Sequence, residues 1–278
     1  MSAENQFHNA MGDTPSASPA PAPASSEQRH YPAKPDKVYF YGTCVVDLLA
    51  PQAGIDAIEL IESQGVEVIF VQQQSCCGQP AYTSGYTEQA LDVARSQLKL
   101  FDQPWPLVVL SGSCGGMIRH HYPSLFKAQP ESQKAFQLAE RTFEFSEFLL
   151  HVLNIRLADS GAPERVVLHT SCTARREMNT HLSGRALLDQ LSAVEVAQQD
   201  HEAECCGFGG AFSVRHPQIS GAMVEDKARS LENTEAAQLV SADYGCLMNI
   251  NGALEAKRSR LQGIHLASYL KQRCGGQL

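Results

Sequence analysis

Basic clusters are missing from this chain. Its 22 Lys and Arg residues stand against 30 Asp and Glu, for a net charge of −8. Nucleic acid is therefore not an expected partner. No run of 18 apolar residues occurs, so no membrane span is expected. The first residues, MSAENQFHNAMGD, have neither a basic start nor an apolar core. That excludes a secretory leader and leads us to expect a cytoplasmic protein. Structural disulfides are not expected in a reducing compartment. No flavin or nicotinamide motif is visible, because Gly207, Gly209 and Gly210 do not have the GxGxxG spacing. A hydroxy-acid oxidation normally needs such an acceptor, so the chain by itself is not expected to be a complete enzyme. No Ser-His-Asp order or carboxylate pair stands out. Short Cys-x(2–4)-Cys knuckles, the usual mark of structural zinc, are also missing.

Against these absences stand nine cysteines. Cys76-Cys77-Gly78 recurs as Cys205-Cys206-Gly207. A single cysteine precedes each pair: Cys44 with 31 residues between, and Cys172 with 32. Another follows each glycine: Cys114 after 35 residues, and Cys246 after 38. Eight cysteines thus form two sets of four, leaving Cys274, expected as a spare surface thiol. Four thiolates can hold an iron–sulfur cluster or a zinc ion. Adjacent cysteines diverge along the backbone and do not easily share one small ion, whereas a cluster offers several irons. Gly78 and Gly207, without a Cβ, let the backbone turn sharply and bring amides close to a bulky ligand.

The spacing of apolar residues predicts alternating strands and helices. Residues 1–35, centred on PSASPAPAPASS, are expected to be a disordered tail. Val38–Tyr41, Val66–Val71 and Leu107–Leu110 read as strands that run toward Cys44, Cys76 and Cys114. Ile55, Ile58 and Ile61 mark one helix, and Leu91, Ala94 and Leu98 another. The order repeats with Val166–Leu168, Val194–Val196 and Leu239–Val240 leading to Cys172, Cys205 and Cys246. Even FEFSEFL at 143–149 resembles IHLASYL at 264–270, each a short strand before a capped helix. The offset is 128 residues at the first cysteine and 132 at the last, so the chain reads as a duplication. The expected fold class is α/β: two tandem βα-repeat domains, 36–160 and 161–278, with mostly parallel sheets. The cysteines should then lie in the βα loops at the carboxyl ends of the strands.

On these residues the chain resembles the cysteine-rich CCG domain family over roughly residues 37–272. The stretches CCGQPAYTSGY, SGSCGGMIRHHYP, TFEFSEFL, ECCGFGGAFSV and GCLMNI resemble its lactate-utilisation subfamily. The resemblance implies an iron–sulfur electron-transfer subunit of a multi-protein system that oxidises L-lactate to pyruvate. It implies one or two iron–sulfur clusters on Cys44, Cys76, Cys77, Cys114, Cys172, Cys205, Cys206 and Cys246, and four cysteines per repeat make the [4Fe–4S] kind the expected one rather than the family's five-cysteine non-cubane cluster. It also implies partner subunits, including a ferredoxin-like iron–sulfur protein. Where the full family pattern has a fifth cysteine, this chain has Met117 and Asn249. The alternatives are a thiol–disulfide reductase component resembling the CCG-containing subunit of heterodisulfide reductase, and a zinc-binding structural protein.

Other polar residues near the cysteines have two readings each. His120 and His121 either tune a cluster or form a solvated pair at a helix end. His169 either faces the site from a strand end or is a core histidine. Arg119, Arg175 and Arg176 either attract an anion or are surface charge.

Overall fold

A computed structural model describes residues 29–275. The tail expected over residues 1–35 lies, for 1–28, outside the described residues. The Tyr31 ring stacks on His151 at 4.6 Å between centroids.

Two four-stranded sheets follow one another along the chain. The first contains β1 (Lys37–Tyr41), β2 (Glu67–Phe70), β3 (Leu107–Val109) and β4 (Thr142–Glu144), in the order β2-β1-β3-β4. The second contains β5 (Glu164–His169), β6 (Val194–Ala197), β7 (Gln238–Ser241) and β8 (Gln262–His265), in the order β6-β5-β7-β8. Every pairing is parallel, with Val38 opposite Val68 and Val167 opposite Ala197. The α/β class and the tandem parallel sheets are therefore as the sequence pattern implies. In a parallel sheet all carboxyl ends share one edge, so each repeat gathers its cysteine-bearing loops there.

Strand alternation divides the core. In β1, Val38 and Phe40 face a cluster shared with the second repeat, while Tyr39 and Tyr41 face a separate cluster that includes Cys77. In β5, Val166 and Leu168 join the shared cluster, while Val167 faces one that includes Cys206 and Cys246. The shared core takes Phe40, Leu60, Phe145 and Phe148 from the first repeat and Leu187, Leu266 and Leu270 from the second.

The helices that close each repeat also cross over. Helix Leu266–Arg273, after β8, packs on helix Pro51–Glu62 of the first repeat. Helix Phe145–Glu147, after β4, packs on helix Thr180–Leu188 of the second. Each follows a capping residue on its strand. Glu144 forms a reciprocal capping box with Glu147, and His265 Nδ1 accepts the Ala267 N–H at 3.1 Å.

Two expectations change in this arrangement. Helix Pro51–Glu62 buries Ala53, Ala57, Leu60 and Ile61, but Ile55 is 47% exposed. The small alanines let the final helix approach closely, which rotates the buried stripe away from Ile55. Cys274, expected at the surface, is only 3% exposed and belongs to the shared core. The crossover of the final helix carries it inside.

Candidate metal centre

The cysteines occupy equivalent places in the two repeats. Cys44 and Cys172 are the first residues of short helices after β1 and β5. Ser171 caps its helix by accepting the Ala174 N–H at 3.2 Å. Thr43 plays this part before Cys44 with φ at 63°, an unusual conformation for a β-branched residue. Cys76, Cys77, Cys205 and Cys206 lie in the loops after β2 and β6. Cys114 and Cys246 lie in the first turns of helices after β3 and β7. All eight line one cavity of about 240 Å³ between the repeats. Sequence reasoning placed them in βα loops. That both sets open on the same cavity was not legible there.

Within each set the thiols touch. Cys77 and Cys114 Sγ atoms are 3.4 Å apart. The Cys76 thiol is lowered to about 3, first by hydrogen bonding from Cys44, then from Cys77, with further help from the Gly78 amide. Cys44 is pushed up, by its bond to Cys76 and then by burial. Cys77 is pushed up by its bonds to Cys114 and Cys76, and by burial. Cys172 is pushed up by its bond to Cys205 and by burial. Neighbouring thiols thus hold protons that a bound metal would displace. Sulfur donors in such groups suit a thiophilic metal or an iron–sulfur cluster.

The glycines have a visible cause. Gly78 has φ at 87° and Gly207 at 81°. A Cβ on Gly78 would lie 3.1 Å from the Ala90 carbonyl oxygen, and one on Gly207 would lie 2.6 Å from that of Ser220. Their amides donate to Cys76 Sγ at 3.4 Å and Cys205 Sγ at 3.3 Å. The carbonyl of the second cysteine is held in each loop. Tyr122 Oη donates to Cys77 O at 2.9 Å, and Asn249 Nδ2 donates to Cys206 O at 2.8 Å. Asn249 thus supports the loop backbone. Met117 is fully buried in the cluster that contains Cys77.

His169 ends β5 fully buried, and neither ring nitrogen has a hydrogen-bond partner among the described residues. Burial pushes its imidazole down to about 3. Its ring nitrogen, Cys206 Sγ and Cys246 Sγ lie within 4.8 Å of one another. The other histidines turn elsewhere: His120 Nε2 contacts Glu177 O at 2.8 Å and His121 Nε2 contacts Glu177 Oε1 at 2.9 Å. Arg119 pairs with Glu147 at 3.2 Å and Arg175 with Glu202 at 2.6 Å, while Arg176 is exposed.

Sequence reasoning missed Asp243. Its Oδ1 accepts from Ser111 Oγ at 2.5 Å and from the Ser113 N–H at 3.2 Å, tying the two repeats together beside the cavity. Ser111 and Asp243 each stand three residues before a cysteine, Cys114 and Cys246. They are equivalent positions of the duplication that bond to each other. Aligning the repeats would have marked the pair. Gly112 permits the close approach nearby, since a Cβ there would lie 2.3 Å from that of Ala174.

Comparison with known proteins agrees with this duplication. The profile of the CCG family, described as a cysteine-rich domain, matches residues 38–119 and 166–251. The chain is 40% identical over 235 residues to lactate utilization protein A 2 of Bacillus cereus (strain 03BB102), covering 84% of this chain and 97% of that protein. It is 39% identical over 235 residues to lactate utilization protein A of Halalkalibacterium halodurans, covering 84% of this chain and 96% of that one. A solved structure, a hypothetical protein from Helicobacter pylori, superposes with a TM-score of 0.60 at 12% identity. The superposition covers 88% of this chain and 50% of that chain, and shows likeness of fold alone. With two matched cysteine-rich repeats and near full-length identity to these relatives, the chain belongs to the CCG cysteine-rich domain family, among the lactate utilization A proteins.

Proposed function

We propose that the protein is an iron–sulfur electron-transfer subunit of a multi-protein system that oxidises L-lactate to pyruvate. The observation that carries this reading is the meeting of all eight paired cysteines at one cavity. Two thiol sets at a common opening suit electron passage between neighbouring centres. The substrate class follows from the names of the relatives.

The repeats, residues 36–160 and 161–278, each contribute one centre. Cys44, Cys76, Cys77 and Cys114 hold the first. Cys172, Cys205, Cys206 and Cys246 hold the second, and Gly78 and Gly207 bring backbone amides to sulfur. Bound [4Fe–4S] clusters supply one-electron redox capacity. The residues of this chain anchor the sulfurs, direct the Gly78 and Gly207 amides at Cys76 and Cys205, and limit solvent access. The hydride acceptor belongs to partner subunits, among them a ferredoxin-like iron–sulfur protein.

Anaerobic purification and reconstitution should yield iron and acid-labile sulfide in equal amounts. Lactate-dependent dye reduction should require the partner subunits. Stoichiometric zinc without sulfide would replace this reading with the zinc one, which the close grouping of His169, Cys206 and Cys246 favours as second choice. Reduction of a disulfide substrate by the loaded protein, without any response to lactate, would favour a heterodisulfide-reductase-like component.

A further inference from the structure

We propose that His169 is a ligand of the second repeat's centre. The two halves of the duplication then hold chemically different sites: thiolates alone in the first, thiolates with one imidazole in the second. This inference rests on the reading that each repeat binds metal.

Strand alternation aims the side chain. Val167 and His169 share one face of β5, and Val167 packs in the cluster that contains Cys206 and Cys246. The last residue of the strand therefore points at the thiols rather than at the shared core. There it is completely buried with both ring nitrogens unpartnered among the described residues. A buried polar group without a partner is destabilising, so an inert core imidazole is a poor explanation. Its donor atom and the Cys206 and Cys246 sulfurs lie within 4.8 Å of one another. Donors on one tetrahedral metal atom, at about 2.0 Å for nitrogen and 2.3 Å for sulfur, are themselves roughly 3.5–3.8 Å apart. A closure of about 1 Å would bring the three onto one zinc ion; on a [4Fe–4S] cluster, where each iron takes one side chain, His169 would stand in place of one of the four thiolates of this repeat.

The first repeat supplies the contrast. Tyr41 and His169 each stand three residues before a cysteine, Cys44 and Cys172, and each ends its strand. The Tyr41 hydroxyl donates to the Ser75 carbonyl, so it has a partner and needs no metal. A second difference runs the same way. Gly78 abuts the Ala90 carbonyl and Gly207 that of Ser220, which aligns the two helices behind the loops. Seven residues further along are Gln97 and Lys227. Gln97 Nε2 donates to Ser75 Oγ at 2.7 Å, while Lys227 Nζ, buried, donates to His201 O at 2.6 Å. A neutral imidazole and a buried cation leave the second centre less negative. Replacing thiolate by histidine raises cluster potentials, so the second centre should be reduced before the first.

The test uses the full chain with Cys77→Ser removing the first centre, labelled with [15N]histidine and reconstituted anaerobically with iron and sulfide. Pulsed EPR of the reduced protein should show nitrogen hyperfine coupling. His169→Asn and His169→Tyr should abolish that coupling while circular dichroism shows the fold intact. His169→Cys should keep the metal, lose the coupling and lower the potential. Parallel Co²⁺ titration should give absorption bands of mixed sulfur and nitrogen coordination that become all-sulfur in His169→Cys. Metal in the second repeat without nitrogen coupling, or with spectra unchanged by the His169 variants, would overturn this assignment alone. An absence of metal from both repeats of the protein with all eight cysteines would overturn it together with the proposed function.

Discussion

At the scale of single residues, the cysteines and their supports have separable roles. Replacing Cys77 or Cys206 by serine removes a thiolate, and we expect the iron of that repeat to be lost. Met117→Ala and Asn249→Ala remove side chains where the family pattern has a fifth cysteine, and we expect iron per folded protein to be unchanged. Met117→Ala empties a fully buried site and should cost about 2–5 kcal/mol of stability. Asn249→Ala removes the bond to the Cys206 carbonyl, for about 1 kcal/mol. Iron analysis beside urea unfolding measures both. Iron loss in an alanine variant as complete as in the serine variants would make that side chain a ligand. Gly207→Ala should be worse tolerated than Gly78→Ala. Both positions have positive φ, but the added Cβ meets a backbone oxygen at 2.6 Å in one and 3.1 Å in the other. Lower thermal stability in the Gly78 variant than in the Gly207 variant would contradict this.

At the scale of elements, β4, β5, β7 and β8 end in the buried polar residues Glu144, His169, Ser241 and His265, and burial decides the state of the ionisable ones. Glu144 at the end of β4 is completely buried, and burial raises its carboxyl to about 8. It accepts the Ser146 N–H at 2.8 Å and the Glu147 N–H at 3.2 Å, which only partly offsets the desolvation. The folded pKa lies above the ordinary value of 4.5, so folding takes up a proton between these values. The stability contributed by the neutral acid is complete below pH 4.5 and is lost as pH rises toward 8. The slope approaches about 1.4 kcal/mol per pH unit. Glu144→Gln keeps an acceptor and cannot ionise. Its urea midpoint should fall less over this range than that of the natural protein. Parallel pH profiles for the two would show that the carboxyl is charged throughout.

For the whole molecule, the crossed helices and the shared core make the two repeats one cooperative body. Leu270 lies in the second repeat's last helix, yet it is buried in a core with Leu60 and Phe148 of the first. Leu270→Ala should cost about 2–5 kcal/mol and shift a single unfolding transition. Separate transitions by fluorescence of Trp105 in the first repeat and by circular dichroism would show that the repeats unfold independently.

The cysteine spacing and the short apolar runs determined the duplication, the α/β class and the collection of thiols at the carboxyl ends of the strands. Those are local signals: a strand's hydrophobic face and the residue that follows it are written contiguously. Only the tertiary structure decided that both thiol sets open on one cavity, that Ser111 bonds Asp243, that Asn249 holds a loop carbonyl, and that Cys274 is buried. Each of these depends on residues from different elements meeting. His169 stood between the two. Its position at a strand end was legible, but its lack of a partner among the described residues depends on everything packed around it, and no stretch of chain carries that by itself.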